Sequence, residues 1–389
     1  MADGTSETEI RAYGSIASIP KETWNGLVGD AMPFLEWDWL ALLEETKSVS
    51  PDSGWLPRHV VIYDGGEAVA ACPAYLKGHS MGEFVYDWSW ANAARQIGVP
   101  YYPKLIAAVP FTPATGQRLL IAPGQDRALR TRELAGALHA VADASKAAGI
   151  HVLFCTEEES TALTELGAME RLQHQYHWKN PGYADFDDYL SRFRSRRRKE
   201  IRRERKGALG AGLRIEALQG EQITREVLEE FYLFYRNTCD RYGGWDYLSR
   251  GMWEKLPTAW PDRVVLFSAW EGDRLRAGAF CVRKNDRMYG RYWGHQPGWQ
   301  PPKFLHFELC FYAPIEFAIR EGVRLFEPGQ GGHHKFSRGF EPELCRSAHW
   351  LMNDRLRRPI EDFVIRERDE VRARVAGMLE ESPIRPKED

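Results

Sequence analysis

The sequence has no CxxC pair, no apolar run approaching the roughly 18–20 residues that span a bilayer, and no spaced-glycine loop of the kind that cradles a diphosphate. Each absence removes a class. The six cysteines (72, 155, 239, 281, 310 and 345) are scattered over 389 residues. Several lie inside apolar runs such as "AFCV" and "ELCFY", which predicts buried free thiols in a reducing compartment, with neither a disulfide framework nor a zinc site. The first residues, "MADGTSETEI", lack the basic-then-apolar pattern of a secretory leader, so a cytoplasmic location is expected. A net charge of only −3 means that the chain as a whole is no polyanion binder.

Aromatic residues are abundant: 14 Trp, 16 Tyr and 18 Phe. Most belong in a core, and some suit the wall of a cleft that is apolar at one end and wet at the other. The length exceeds one ordinary core and implies two domains.

Residues 1–12 read as disordered. A helix is expected around 34–46, then a hairpin in "HVVIYDGGEAVAACPAYLKG". "TRELAGALHAVADASKAAG" reads as a helix stopped by Gly149, followed by the buried strand "IHVLFC". The second half repeats this order. "RVVLFSAWEGDRLRAGAFCVRKNDRMYGRYWG" reads as three strands with turns at 271–273 and 285–286. "PKFLHFELCFYAPIEFAIREG" reads as a helix stopped by Gly322, and "VRLFE" as a strand. The joints "AAGIHVLF" and "REGVRLFE" match, a weak internal repeat that argues for two α/β or α+β units. Residues 1–180 form the first expected domain and 181–389 the second, with a C-terminal amphipathic helix in "IEDFVIRERDEVRARVAGMLEES".

"RFRSRRRKEIRRERK" (192–206) has ten basic and two acidic residues, a net +8, so the rest of the chain carries −11. Leu190, Phe193 and Ile201 follow helical spacing, which gives an amphipathic helix with a cationic outer face. Two readings stand: a solvated helix with i,i+4 Glu–Arg pairs, or a phosphate-backbone contact through Arg196, Arg197, Arg198 and Arg202.

The loop "GHQPGWQPPKF" before the second-half helix has three prolines, which remove N–H donors, so no conventional CoA-pyrophosphate loop is expected. His306 and Glu308 sit in an otherwise apolar helix. Glu308 is either a buried ion-pair partner or a general base of raised pKa, and Glu327 invites the same two readings. In "FEPGQGGHHKFSRGF" (326–340), Gly329, Gly331 and Gly332 permit positive φ and close approach. The segment is either a structural turn or an active-site loop in which His334 or Lys335 meets an oxyanion or phosphate. Metal binding is not expected, because adjacent histidines diverge and no third ligand comes at ligand spacing.

The chain resembles the FemAB-like, peptidoglycan biosynthesis/recognition family of N-acyltransferases in the GNAT superfamily. The resemblance covers about residues 25–383. It rests on "PFLEWDWLALLEET", "GWLPRH", "GEFVYDWSWANAA", "YYPKL" with "VPFTPATGQRLL", "YHWKNPGYADFDDYL", "SRRRKEIRRER", "LHFELCFY", "FEPGQGGHHKFSRGFEP" and "SAHW". It implies an α/β (α+β) fold of two tandem GNAT-like domains. It also implies transfer of an aminoacyl group from aminoacyl-tRNA to a small amine or peptide acceptor, without metal or cofactor. The family loop usually reads Gly-Ala-Gln-Gly-Glu-His-Lys. Here His333 replaces the acidic residue and Gly331 the glutamine, while His334, Lys335, Arg338 and Gly339 are kept. The expected catalytic groups are Glu308, His334 and Glu327. Lys335, Arg338, Gly331, Gly332, His306, Trp293 and His177 are expected to bind substrate or donor. Two alternatives remain at this point: an acyl-CoA-dependent GNAT enzyme, and a non-catalytic cell-wall or nucleic-acid binding protein.

Overall fold

A β-branched run, a Gly-Gly turn and a second apolar run make the first hairpin. His59–Asp64 pairs antiparallel with Glu67–Cys72, turning on Gly65 and Gly66 at φ 59° and 87°. In this computed structural model of the chain, residues 8–210 and 212–385 are described. The expectation of disorder over 1–12 is overturned for 8–12: Thr8–Tyr13 is an edge strand antiparallel to His59–Asp64, and residues 1–7 lie outside the described residues. The side chains of this edge strand are nearly all exposed. It is held by backbone pairing, which polar residues do not advertise.

By compactness the chain divides into two units, Met1–Gln173 with Leu344–Ala373, and His174–Glu343 with Arg374–Asp389. The expected division at residue 180 is a single cut. Residues 344–373 instead lie with the first unit, where 346–351 of the strand Glu341–Leu351 pair antiparallel with Gly149–Cys155.

The first unit holds a four-stranded antiparallel sheet, ordered Thr8–Tyr13, His59–Asp64, Glu67–Cys72, Leu120–Ile121. It also holds a ladder running Trp55–Pro57, Ala74–Lys77, Lys104–Ala107, Gly149–Cys155, with one parallel pair between the last two. The helix Arg127–Ala144 ends five residues before Gly149. Lys146 takes the left-handed turn instead, at φ 52°. Gly149 opens the strand, where a Cβ would stand 2.7 Å from the Trp350 carbonyl oxygen.

In the second unit, Arg214–Gln219, Val264–Glu271, Arg274–Lys284 and Arg287–His295 form an antiparallel ladder. The helical segment Leu305–Arg320 then crosses over to Leu325–Glu327, which pairs parallel to Arg287–His295 and antiparallel to 178–179. Gly322 ends that helix at φ 69°, as its position predicts. The helix Arg225–Arg241, unread in the sequence, lays Leu228, Phe231, Phe234 and Tyr235 inward.

Candidate functional site

The cavity of interest forms where the parallel strands part. Arg274–Lys284 and Arg287–His295 pair Cys281 with Gly290 and then Phe280 with Tyr292, so Arg291 is the extra residue of a β-bulge. Bulges kink a strand and re-aim its side chains. The neighbouring parallel pairing stops at Tyr289 and Glu327, and the chain runs on into Pro328–Gly332. A cavity of about 220 Å³ opens there, lined by Arg291, Trp293, His306, Cys310, His334 and Lys335 together with Gly331 and Gly332. It lies beyond the carboxyl end of a strand that comes after a crossover helix, the usual place for a ligand in an α/β sheet.

The glycine-rich loop both turns and approaches. Gly329, Gly331 and Gly332 have φ of 85°, 75° and 81°. They lead into the 3-10 helix His333–Arg338, which ends at Gly339 with φ 80°. A Cβ at Gly339 would stand 2.5 Å from Tyr189 Oη. This path folds Lys335 back under its own loop. The side chain is only 5% exposed, and Nζ donates to the carbonyl oxygens of Gly329 (2.5 Å) and Gln330 (3.3 Å). Among the described residues the third ammonium hydrogen has no acceptor. Burial draws the Lys335 pKa down to about 8.

Two imidazoles meet edge to face beside this lysine, with the His306 and His334 ring centres 5.9 Å apart. Burial, helped by the neighbouring His334, Arg338 and Lys335, holds His306 down to about 4. His334 is exposed at the rim but is also shifted down, chiefly by desolvation and then by Lys335. Both rings are therefore neutral at neutral pH, and each has a lone pair to take a proton. His306 is presented by an interrupted helix: Leu305–Phe307 is α, Glu308–Tyr312 a π-turn, and Ala313–Arg320 α again. The wide turn precedes Pro314, which has no N–H and whose ring would collide with the carbonyl four residues back.

The basic helix Ser195–Leu209 supports this apparatus from behind. Arg197, Ile201, Glu204, Arg205 and Ala208 form one stripe at helical spacing. Arg205 binds Glu308 through two hydrogen bonds, 2.9 and 3.1 Å, and Glu316 at 2.6 Å. Glu204 accepts from Arg338 at 2.8 and 3.1 Å and from the Tyr312 hydroxyl. Arg197 donates to the Ser337 carbonyl and to Glu200.

These contacts sort the expected residues. Glu308, read as a possible base, lines a separate hollow of about 230 Å³ with Arg205, Phe267 and Phe317, and does not face the loop cavity. Burial raises its pKa, and Arg205 opposes that shift. Arg338, expected to bind donor, spends its donors on Glu204 and on the His334 carbonyl, and its guanidinium carbon lies 3.4 Å from the Phe307 ring centre. Glu327 lies 3.6 Å from His177 in the interior. Burial holds His177 down to about 3, so the two are not an ion pair at neutral pH, and neither lines the cavity. Of the four arginines expected to meet phosphate, Arg197 is turned inward. Arg196 and Arg202 are exposed and pair loosely with Glu200 (3.4 Å) and with the exposed Asp187 (2.9 Å), while Arg198 is half-buried. A hollow of about 630 Å³ opens beside the start of this helix, lined by Lys179, Arg192, Arg194 and Arg385 but also by Glu341 and Glu380.

Arg291 and Cys310 were not read from the sequence. The available signal was a lone arginine inside the aromatic strand "MYGRYWG". Among the described residues no group of three or more His, Cys, Asp or Glu is placed to hold a metal ion, and no helix is long and apolar enough to cross a membrane.

A family model, FemAB-like, peptidoglycan biosynthesis/recognition, matches residues 15–386. No curated protein matches the sequence. Among solved structures, FemX is similar at 14% identity, covering 91% of this chain and 100% of its own, with a TM-score of 0.52. L-PGS from Bacillus licheniformis is similar at 11% identity, covering 86% and 96%, with a TM-score of 0.50. A conserved protein of unknown function from Bacteroides thetaiotaomicron VPI-5482 is similar at 13% identity, covering 89% and 100%, with a TM-score of 0.51. The mixed α/β fold class expected from the sequence is the one the chain has, in two compact units.

Proposed function

The chain belongs to the FemAB-like family, a family of acyltransferases, and we propose that it forms an amide by moving an aminoacyl group from aminoacyl-tRNA to an amine. The observation that carries this reading is the cavity at the parting strands, where a buried ammonium with one unused hydrogen lies among neutral imidazoles. An aminoacyl ester is already activated, so positioning, a proton acceptor and an oxyanion donor suffice.

The acceptor nitrogen attacks the ester carbonyl, and charge builds on the carbonyl oxygen. Lys335, protonated below pH about 8, donates its third hydrogen to that oxygen. His334 takes the proton from the attacking nitrogen and returns it to the departing ribose oxygen as the carbon–oxygen bond breaks. His306 and Trp293 line the same cavity and shape the place of the acyl group. Glu308 and Arg338 act behind it, through their pairs with Arg205 and Glu204. The outer arginines Arg196, Arg198 and Arg202 contact the phosphates of the tRNA, with Arg192 and Arg194 extending the positive face. The acceptor is a small amine or a peptide, and the reaction belongs in the cytoplasm.

The test is incubation with a total pool of charged tRNA and a mixture of primary amines, read by mass spectrometry. Amide products and discharged tRNA are expected. If charged tRNA stays intact while acyl-CoA is consumed, the donor assignment fails.

A further inference from the structure

The cavity at the parting strands has a charge that the transfer chemistry does not use. Two cations line it, Arg291 and Lys335, and among the described residues no aspartate or glutamate does. The two histidines beside them are neutral at neutral pH and add no charge of either sign.

The backbone places both cations. The bulge between Phe280 and Cys281 makes Arg291 the extra residue of its strand and turns it to the cavity, with its guanidinium carbon 5.6 Å from the Tyr292 ring centre. The left-handed glycines bring in Lys335, whose two bonds to its own loop leave one hydrogen over. Burial draws both cations down from their usual values, and the charge of Arg291 lowers Lys335 further. Glu327 attracts Arg291 from the interior without lining the cavity. Counted in full against the two cations, Glu327 still leaves one positive charge over below pH about 8.

An uncompensated charge in a half-closed space is costly, so this cavity favours an anionic guest. Phe280, Trp293 and Phe311 are apolar parts of its wall. The five donors of a guanidinium form a planar fork, which can meet the wall and a ligand at once and which matches the two oxygens of a carboxylate. A phosphate carries more oxygens and more charge, and walls of this kind offer it few further donors.

We infer that Arg291 selects an acceptor amine that itself carries a carboxylate, an amino acid or a short peptide, by holding that carboxylate in the cavity while Lys335 serves the oxyanion. The same positive field acts on the amine. It disfavours the ammonium form and so favours the neutral nucleophile that the attack needs. A plain alkylamine would gain this effect without an anchor, and a diamine would bring a second ammonium to a cavity that has no carboxylate for it. The acceptor role rests on the transferase reading, but carboxylate binding does not.

The test has a binding arm and a kinetic arm, both on the full chain. Calorimetric titration at pH 7 and constant ionic strength uses N-acetylglycine, glycine ethyl ester and inorganic phosphate. Saturable binding of N-acetylglycine alone is expected, weakened roughly tenfold or more in Arg291→Met and partly restored in Arg291→Lys, because a charged hydrogen bond is lost and then replaced by a less well matched one. In the kinetic arm, charged tRNA is the donor and glycine competes with glycinamide, which differs in lacking the carboxylate. A lower KM for glycine is expected, with the preference falling roughly tenfold in Arg291→Met. If that variant fails to fold, the probe comparison and the glycine preference of the wild-type protein still decide. No saturation, tighter binding of phosphate, equal binding of glycine ethyl ester, or equal KM for glycine and glycinamide overturns the inference. Amide formation from charged tRNA without N-acetylglycine binding removes this inference and leaves the transferase reading intact. N-acetylglycine binding without amide formation keeps the carboxylate site and removes the transferase reading.

Discussion

Arg205 grips Glu308 in a fork, Nη2 to Oε1 at 2.9 Å and Nε to Oε2 at 3.1 Å, with the carboxylate 1% exposed. Removing one partner of a buried pair leaves an uncompensated charge. Arg205→Ala should therefore cost about 3–5 kcal/mol in urea unfolding, with Arg205→Met/Glu308→Gln recovering a large part. Glu308 already titrates above the ordinary carboxylate value. In Arg205→Ala that shift grows, the folded state holds the extra proton, and stability should rise as pH falls toward 4.5. A variant whose stability falls over that range would contradict the pairing.

His334 is exposed and bonds through its backbone, so truncating it costs the fold little. His334→Ala should keep its unfolding free energy within about 0.5 kcal/mol of wild type. Loss of a general base should lower turnover by about 10²–10⁴. Full activity in this variant would move the proton transfer to His306.

Lys335 gives a signed pH dependence. Its pKa is about 8 in the folded chain against 10.5 for the free side chain. Between these values the unfolded chain carries a proton that the folded chain lacks. Below pH 8 the buried charge is a full penalty, and the penalty fades as pH rises to 10.5. The stability gain across this window should be on the order of 3 kcal/mol and absent in Lys335→Met. Activity should move the other way, falling as pH passes 8 and the oxyanion donor is lost. Unfolding curves and turnover measured at matched pH separate the two effects.

The outer and inner faces of the basic helix should behave differently. Arg196→Gln, Arg198→Gln and Arg202→Gln together should reduce the slope of log K against log salt for tRNA by roughly 3 units, without lowering the melting temperature. Arg197→Gln should lower the melting temperature, because it frees the Ser337 carbonyl. An unchanged salt slope in the triple variant would leave the outer face as a solvated surface.

Local patterns were legible in the sequence: the Gly65–Gly66 hairpin, the three strands over 264–295, the stop at Gly322 and the glycine loop. Each is written in a period or a turn residue within about ten positions. Partnerships across the chain were not. Glu308 finds Arg205 at a separation of 103 residues, and His151 finds His349 at 198. Helical spacing marks the apolar face of the basic helix through Ile201, but not the Ser337 carbonyl that Arg197 meets. The letters around Lys335 mark a glycine loop, but not that three left-handed glycines fold its side chain inside.

The π-turn at Glu308–Tyr312 has a consequence for how this site can change. Each residue added to or removed from a helix rotates its N-terminal part by about 100° relative to its C-terminal part. Ile315, Phe317 and Ala318 are anchored in the core, so they stay put. Deleting one residue in the wide turn would swing His306 away from the cavity while those anchors held. The segment is geared like a dial on a fixed shaft: a single codon gained or lost resets the chemistry at one end and leaves the packing at the other untouched.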